Sequence, residues 1–176
     1  MGHTLDNRKT ILILGAGSDQ IYPIKIAREM GYRTLVVDVN PKSKGFEFCD
    51  EYRLVSNRDV NSIKELCDLS QENGHKISAV FLMGSDIPNI QSEIAKYLSL
   101  TGPSEESAKF TTNKFLMKER LYQKGISIPW YKLVRSLDDT VDAIKKSSFE
   151  KYVIKPVDRS GARGVFLFER NSPEIK

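Results

Sequence analysis

The chain has 176 residues, 40% of them hydrophobic and 28% charged, enough to bury one ordinary core or two small ones. Its uninterrupted apolar runs are short, 11–14 and 79–83 among the longest, whereas a membrane-spanning helix needs roughly 20 residues, and the polar N-terminus carries no apolar signal segment. The net charge of +4 is unevenly placed, with 12 basic and 13 acidic residues in 1–101 against 15 and 10 in 102–176, yet dense basic runs with interleaved aromatics are missing, which argues against a nucleic-acid partner.

In chain order, a β-like run at 10–14 ends in Gly15-Ala16-Gly17, and Ile21, Ile24, Ala27 and Met30 recur at helical spacing as far as Gly31. Pro23 is read in the first turn of that helix, where a missing N–H is tolerated. Strands follow at 34–39 and around 52–55, then a helix with Val60, Ile63, Leu66 and Cys67 on one face. The continuous apolar run 78–83 is what a strand covered on both faces requires, and Ile87, Ile90, Ile94 and Leu98 mark the next helix. Alternation of strand and helix over the first hundred residues predicts an α/β fold with a parallel sheet. After Thr101-Gly102-Pro103 the pattern changes to a helix at 113–124 ending at Gly125, an extended stretch at 128–134, a helix at 138–147, and β runs at 151–157 and 165–169. The predicted organisation is a domain at 1–101, a linker at 102–112 and a second domain at 113–176. Cys49 and Cys67 lack metal-ligand spacing and read as reduced packing residues of a cytosolic protein.

Four places have residue types that suggest a ligand. Gly15 and Gly17 open a dinucleotide fingerprint, and Asp38 follows the second strand where a ribose-binding acid would lie, but position 20 is Gln instead of Gly or Ala. A plain strand-to-helix turn explains the same glycines. Ser85 and Asp86 stand at the carboxyl end of the 78–83 strand, where α/β sheets bind ligands; one of them is expected to cap the next helix. The loop Ser160, Gly161, Ala162, Arg163, Gly164 and Val165 joins two strands, so it is not a P-loop, yet its backbone N–H groups and arginine can face phosphate; an ordinary hairpin loop is the plainer reading. Lys155 sits in the apolar run Tyr-Val-Ile-Lys-Pro-Val, where an ammonium needs an anion, water, or a position on an edge strand. Lys114 opens a helix, a place where cations are mildly disfavoured unless an anion is near.

Taken together, these residues resemble the ATP-grasp superfamily, in particular biotin carboxylase, the carbamoyl phosphate synthase large chain and related carboxylate–amine ligases. The matching pieces, in family order, are the 11–17 strand and turn, Val36-Val37-Asp38 with Asn40-Pro41, and Gly102-Pro103-Ser104 with Asn113-Lys114. Lys124-Gly125-Ile126 with Ile128-Pro129, Val153-Ile154-Lys155-Pro156 and the 160–165 loop follow. The resemblance implies a Rossmann-like preATP-grasp domain followed by the first, incomplete subdomain of an ATP-grasp fold. It further implies that Lys114 and Lys155 contact ATP phosphates, that Ser160–Val165 close over them, and that Gly15, Gly17, Asp38, Ser85 and Asp86 lie on the acceptor-substrate side. ATP and magnesium would be the cofactors and a small carboxylate the substrate. In the family the adenine hinge, the magnesium ligands and the catalytic arginine follow the glycine loop. The chain alone, ending at Lys176, is therefore expected to be an N-terminal portion without ligase turnover. Homo-oligomer formation is left open. Two rival readings are a dinucleotide-binding Rossmann protein and a non-enzymatic interaction module that pairs through an open sheet edge.

Overall fold

The computed structural model describes residues 6–159 and 161–172, which form two compact units dividing between Lys109 and Phe110. In the first unit β1 (Thr10–Leu14), α1 (Ser18–Glu29), β2 (Arg33–Val37), β3 (Glu51–Arg53), α2 (Val60–Glu72), β4 (Ile77–Phe81) and α3 (Pro88–Tyr97) follow in order. All four strands run parallel in the order β3-β2-β1-β4. This is the predicted α/β sheet, and its switch point lies between β1 and β4: the chain runs from β1 outward to β2 and β3, then crosses back through α2 to place β4 on the other side of β1.

The two-residue period of a strand sorts the core into two layers. Leu12, Leu14, Leu35 and Val37 meet Ile63, Leu66, Ile90 and Ile94 from α2 and α3 on one face of the sheet. Ile13 and Val36 meet Ile24 of α1 on the other, where Phe46 and Phe48 of a 3-10 turn at Lys44–Phe48 complete the layer. Pro23 differs from its predicted place: it is the sixth residue of α1, inside the helix, where its missing N–H leaves the carbonyl four residues back without a helical partner.

The division between the units falls within α4 (Glu105–Thr112), so the 102–112 segment is largely helical. Ser104 Oγ accepts from the Ser107 N–H at 3.1 Å, and Glu105 and Glu106 in the first turn suit the positive end of the helix.

The second unit holds α5 (Lys114–Gln123), α6 (Leu137–Lys145) and a hairpin of β5 (Lys151–Ile154) and β6 (Phe166–Glu169). The strands pair antiparallel, Lys151 opposite Glu169 and Ile154 opposite Phe166. Both are shorter than predicted, because Pro156 has no N–H to continue the ladder and also restrains Lys155 before it. The 128–134 segment carries no strand. Pro129 again offers no donor, and the segment is held by side chains: the Trp130 ring lies 5.6 Å from Phe149 and 6.3 Å from Tyr152.

Candidate functional site

The glycine turn after β1 is closed by its own neighbours. Gly15, with φ at +109°, turns the chain so that its N–H donates to Val37 O at 2.8 Å. The Ala16 N–H then donates to Asp38 Oδ2 at 2.8 Å, while Asp38 Oδ1 accepts from the Asn40 N–H at 2.9 Å. Both carboxylate oxygens therefore serve backbone. Buried Gln20 lies over the glycines, and its Nε2 donates to Met83 O. A Cβ added to Gly17 would stand 3.1 Å from Gln20 Oε1. The residue that breaks the fingerprint in sequence is thus packed beside both glycines and bonded to the chain beyond β4.

Ser85 and Asp86 are half-buried beyond β4, and the cap position of α3 is taken by Ile87, which has no capping side chain. Asp86 instead accepts from Arg58 Nη2 at 2.7 Å.

In the second unit the structure brings Lys114 and Lys155 together. Asn113 caps α5, its Oδ1 accepting from the Phe115 and Leu116 N–H groups at 3.0 Å each. The Lys114 N–H donates to Val157 O at 2.8 Å, which ties the start of α5 to the chain just beyond β5. Both lysines line one cleft of about 560 Å³, whose apolar wall includes Phe115, Ile144, Tyr152 and Phe168. Lys155 itself is exposed and follows the end of β5, so its ammonium reaches water, one of the outcomes open to a lysine in this apolar run. Its place in the cleft, not a desolvation cost, marks it.

Three further lysines, Lys118, Lys132 and Lys151, line the same cleft, and among the described residues no carboxylate does, although Lys151 pairs with Glu169 at 3.8 Å. Lys118 was legible in the sequence, since i and i+4 residues of a helix share a face. Lys118 Nζ donates to Pro129 O at 3.2 Å and stands 5.1 Å from the centre of the Tyr131 ring. A hydrogen bond to the Glu119 carboxylate pushes the Tyr131 phenol up to about 12, so it stays protonated at neutral pH. Trp130, the one tryptophan of the chain, also lines the cleft and was missed because only the tertiary path brings it there.

The glycine loop is less directly placed. Gly161, Ala162, Arg163, Gly164 and Val165 are exposed, with left-handed φ at Gly161 (+69°), Ala162 (+56°) and Gly164 (+73°), and they do not line the cleft. Ser160 lies outside the described residues. One link to the cleft is explicit: Lys114 Nζ donates to Arg159 O at 2.5 Å. Among the described residues no cluster of three or more His, Cys, Asp or Glu side chains is arranged to hold a metal ion, and no helix is long and apolar enough to cross a membrane.

No protein-family model and no curated protein matches the chain. Solved structures do. N5-carboxyaminoimidazole ribonucleotide synthetase from Thermotoga maritima aligns at 25% identity and a TM-score of 0.69, over 95% of this chain and 42% of that one. The Staphylococcus aureus N5-carboxyaminoimidazole synthetase, solved with ADP, aligns at 19% identity and 0.72, over 94% and 42%. The biotin carboxylase domain dimer of Hydrogenobacter thermophilus 2-oxoglutarate carboxylase, solved with MgADP, ADP and bicarbonate, aligns at 16% and 0.68, over 92% and 37%. The chain thus spans about two fifths of the length of these structures, 37% to 42%. Its fold is that of the N-terminal portion of the ATP-grasp enzymes: a Rossmann-like parallel sheet followed by the opening subdomain of the ATP-grasp fold.

Proposed function

We propose that the chain is the N-terminal part of an ATP-dependent, ADP-forming carboxylate–amine ligase, in which the second unit supplies the phosphate-facing side of the nucleotide site. The observation that carries this is the cleft: Lys114 and Lys155 on an apolar wall, with three more lysines and no carboxylate among the described lining residues. Its volume of about 560 Å³ falls in the range of roughly 300–1,000 Å³ common to small-molecule sites. An apolar wall suits a planar base, and ammonium groups at the rim suit a polyphosphate.

ATP, when bound, supplies the phosphoryl group. The chain's own part is electrostatic: Lys114 and Lys155 offset phosphate charge, and the 161–165 loop and Ser160 are assigned to close over it. Magnesium is expected in the parent enzyme, but the described residues offer no donor cluster for it. Gly15, Gly17, Asp38, Ser85 and Asp86 are proposed to shape the acceptor-substrate side as backbone scaffold, with Asp38 and Asp86 already bonded within the protein. A small carboxylate substrate and a cytosolic setting go with this reading.

Trp130 gives the test. Titrating the 176-residue chain with ATP should change its emission with a Kd on the order of 1 mM, tripolyphosphate should compete, and NAD+ should have no effect. Emission unchanged up to about 10 mM ATP would sink the assignment. A second reading, an interaction module, rests on the apolar face of the hairpin, where Val153 is 57% and Leu167 70% exposed. Concentration-dependent association in sedimentation, without any ATP response, would favour it.

A further inference from the structure

The first backbone donors of α5 are all engaged. The Lys114 N–H donates to Val157 O, and the Phe115 and Leu116 N–H groups donate to the single Oδ1 of Asn113. This helix end therefore offers a phosphate no free N–H in its first three positions, although a helix N-terminus is commonly used that way. Whatever cationic recognition the helix start provides must pass through the Lys114 ammonium, whose position depends on how the first turn is held.

Resting on the reading of the cleft as a nucleotide site, we infer that Asn113 is a positioning residue for that site: its double cap on α5 fixes the first turn so that the Lys114 ammonium stands in the same cleft as Lys155. Two features support this. Asn113 immediately precedes Lys114, so its side chain sets the direction in which the helix leaves the chain that Val157 anchors. The Lys114 side chain is half-buried and already engaged with Arg159 O at 2.5 Å, so a small rotation of the helix start would move the ammonium relative to both the loop and the cleft. The cap also leaves the first turn with no free donor to draw an anion away from the ammonium.

The test compares two cap removals in the same unit. Ser136 caps α6, its Oγ accepting from the Asp139 N–H at 3.0 Å, and the α6 residues that line the cleft include no lysine. Asn113→Ala and Ser136→Ala should shift the urea midpoint comparably, each losing a helix cap. In ATP titrations read by Trp130, Asn113→Ala should weaken binding by roughly tenfold, while Ser136→Ala stays within about twofold of the parent. Asn113→Ser, which keeps a capping oxygen, should restore most of the affinity and answers the case in which the alanine variant fails to fold. Equal affinities of Asn113→Ala and the parent chain would overturn the inference and leave the nucleotide reading standing, as would equal losses in the two alanine variants. No ATP response in the parent chain would remove both.

Discussion

The two units use similar local devices to opposite ends. Each has a glycine-containing turn and charged residues beside it. In the first unit that apparatus is saturated: Asp38 is bonded by two backbone N–H groups, Gln20 lies over the glycines, and Gly45 backs onto Ala16. In the second unit Lys155 is exposed, and five lysines line a cleft whose described lining residues include no carboxylate, though Lys151 pairs with Glu169 at 3.8 Å. The cores differ in the same sense. Among the described residues the first unit buries Leu12, Ile13, Leu14, Leu35, Val36 and Val37 almost fully, whereas Ile144 and Tyr152 are the only buried apolar side chains of the second. A glycine motif by itself does not locate a ligand; what matters is whether the protein has already satisfied the polar groups around it.

The largest expected effect separates the cores. Leu35→Ala, at a fully buried position, should cost roughly 2–5 kcal/mol, while Leu167→Ala on the exposed hairpin face should stay within about 0.5 kcal/mol. Both cysteines lie in the first unit, and burial pushes the Cys67 thiol up to about 12, so its alkylation reports opening of that unit. Trp130 emission reports the second unit, and equal losses of urea midpoint, read by alkylation for Leu35→Ala and by emission for Leu167→Ala, would erase the contrast.

Next comes acid. Asp50 accepts from the Thr34 N–H at 2.9 Å and the Thr34 hydroxyl at 3.0 Å, and Arg8 and Arg28 face it. Burial raises its pKa, but these bonds outweigh burial and hold it below the usual carboxylate range. A hydrogen bond from Arg8 brings Asp6 down to about 2. Carboxyl groups with depressed folded-state pKa values contribute stability above their unfolded pKa and lose it as pH falls through the folded one. First-unit stability should therefore fall between about pH 4 and 2. Asp50→Asn should cost about 2 kcal/mol at pH 7 and flatten that acid slope. Urea midpoints at several pH values, read by Cys67 alkylation after adjustment to a common pH, check both; an unchanged slope in the variant would remove Asp50 from the account.

How much of this the sequence made legible follows the same division. β1 at Thr10–Leu14, α2 from Val60 and α3 from Pro88 were readable because each has one strong period and a covered face. The 3-10 turn at Lys44–Phe48 and α4 were not, since neither has enough apolar positions to declare a period, and the Ser104 cap was read only as part of a Gly-Pro-Ser segment. At the candidate site Lys114 and Lys155 were found from their residue type and neighbours, while Trp130 and Lys132 needed the tertiary path. The strand expected to run through Lys155 stops at Ile154, because Pro156 cannot continue the ladder and restrains the residue before it.

Two mid-sized effects probe the closed turn and the open cleft directly. A Cβ on Gly45 would stand 2.7 Å from Ala16 O, a contact that backbone cannot relieve cheaply, so Gly45→Ala should destabilise the first unit by about 1–3 kcal/mol. A Tm or urea midpoint equal to the parent's would mean the turn yields. In the cleft, Lys155→Met should weaken ATP binding by roughly tenfold, about 1.4 kcal/mol, because an exposed lysine gives only part of a charged contact. Lys146→Met, at the end of α6 and paired with Asp142 at 3.7 Å, should leave affinity unchanged. Equal losses would point to general charge, not to this site.

The smallest effect concerns how helices end. In α1, α2 and α5 the residue after the C-cap is Gly31, Gly74 or Gly125, each with positive φ. In α3 it is Ser99, with φ at +54°. The hydrogen bonds are the same in all four: in α3 the Ser99 N–H donates to Lys96 O at 3.0 Å and the Leu100 N–H to Ala95 O at 2.8 Å, and in α5 the Gly125 and Ile126 N–H groups donate to Tyr122 O and Leu121 O. This is the Schellman closure, and a left-handed residue with a Cβ costs more there than glycine. Leu100 packs against the first unit's core, so the geometry is held in place despite the serine. Ser99→Gly should relieve that strain, and because glycine also gains freedom in the unfolded chain the net gain should be only ~0.5–1 kcal/mol. Gly125→Ser in the second unit is the mirror substitution and should lose a similar amount. Urea midpoints read by Cys67 alkylation for the first and by Trp130 emission for the second measure the pair. A loss of stability in Ser99→Gly would mean that the serine hydroxyl contributes something its backbone angle does not reveal.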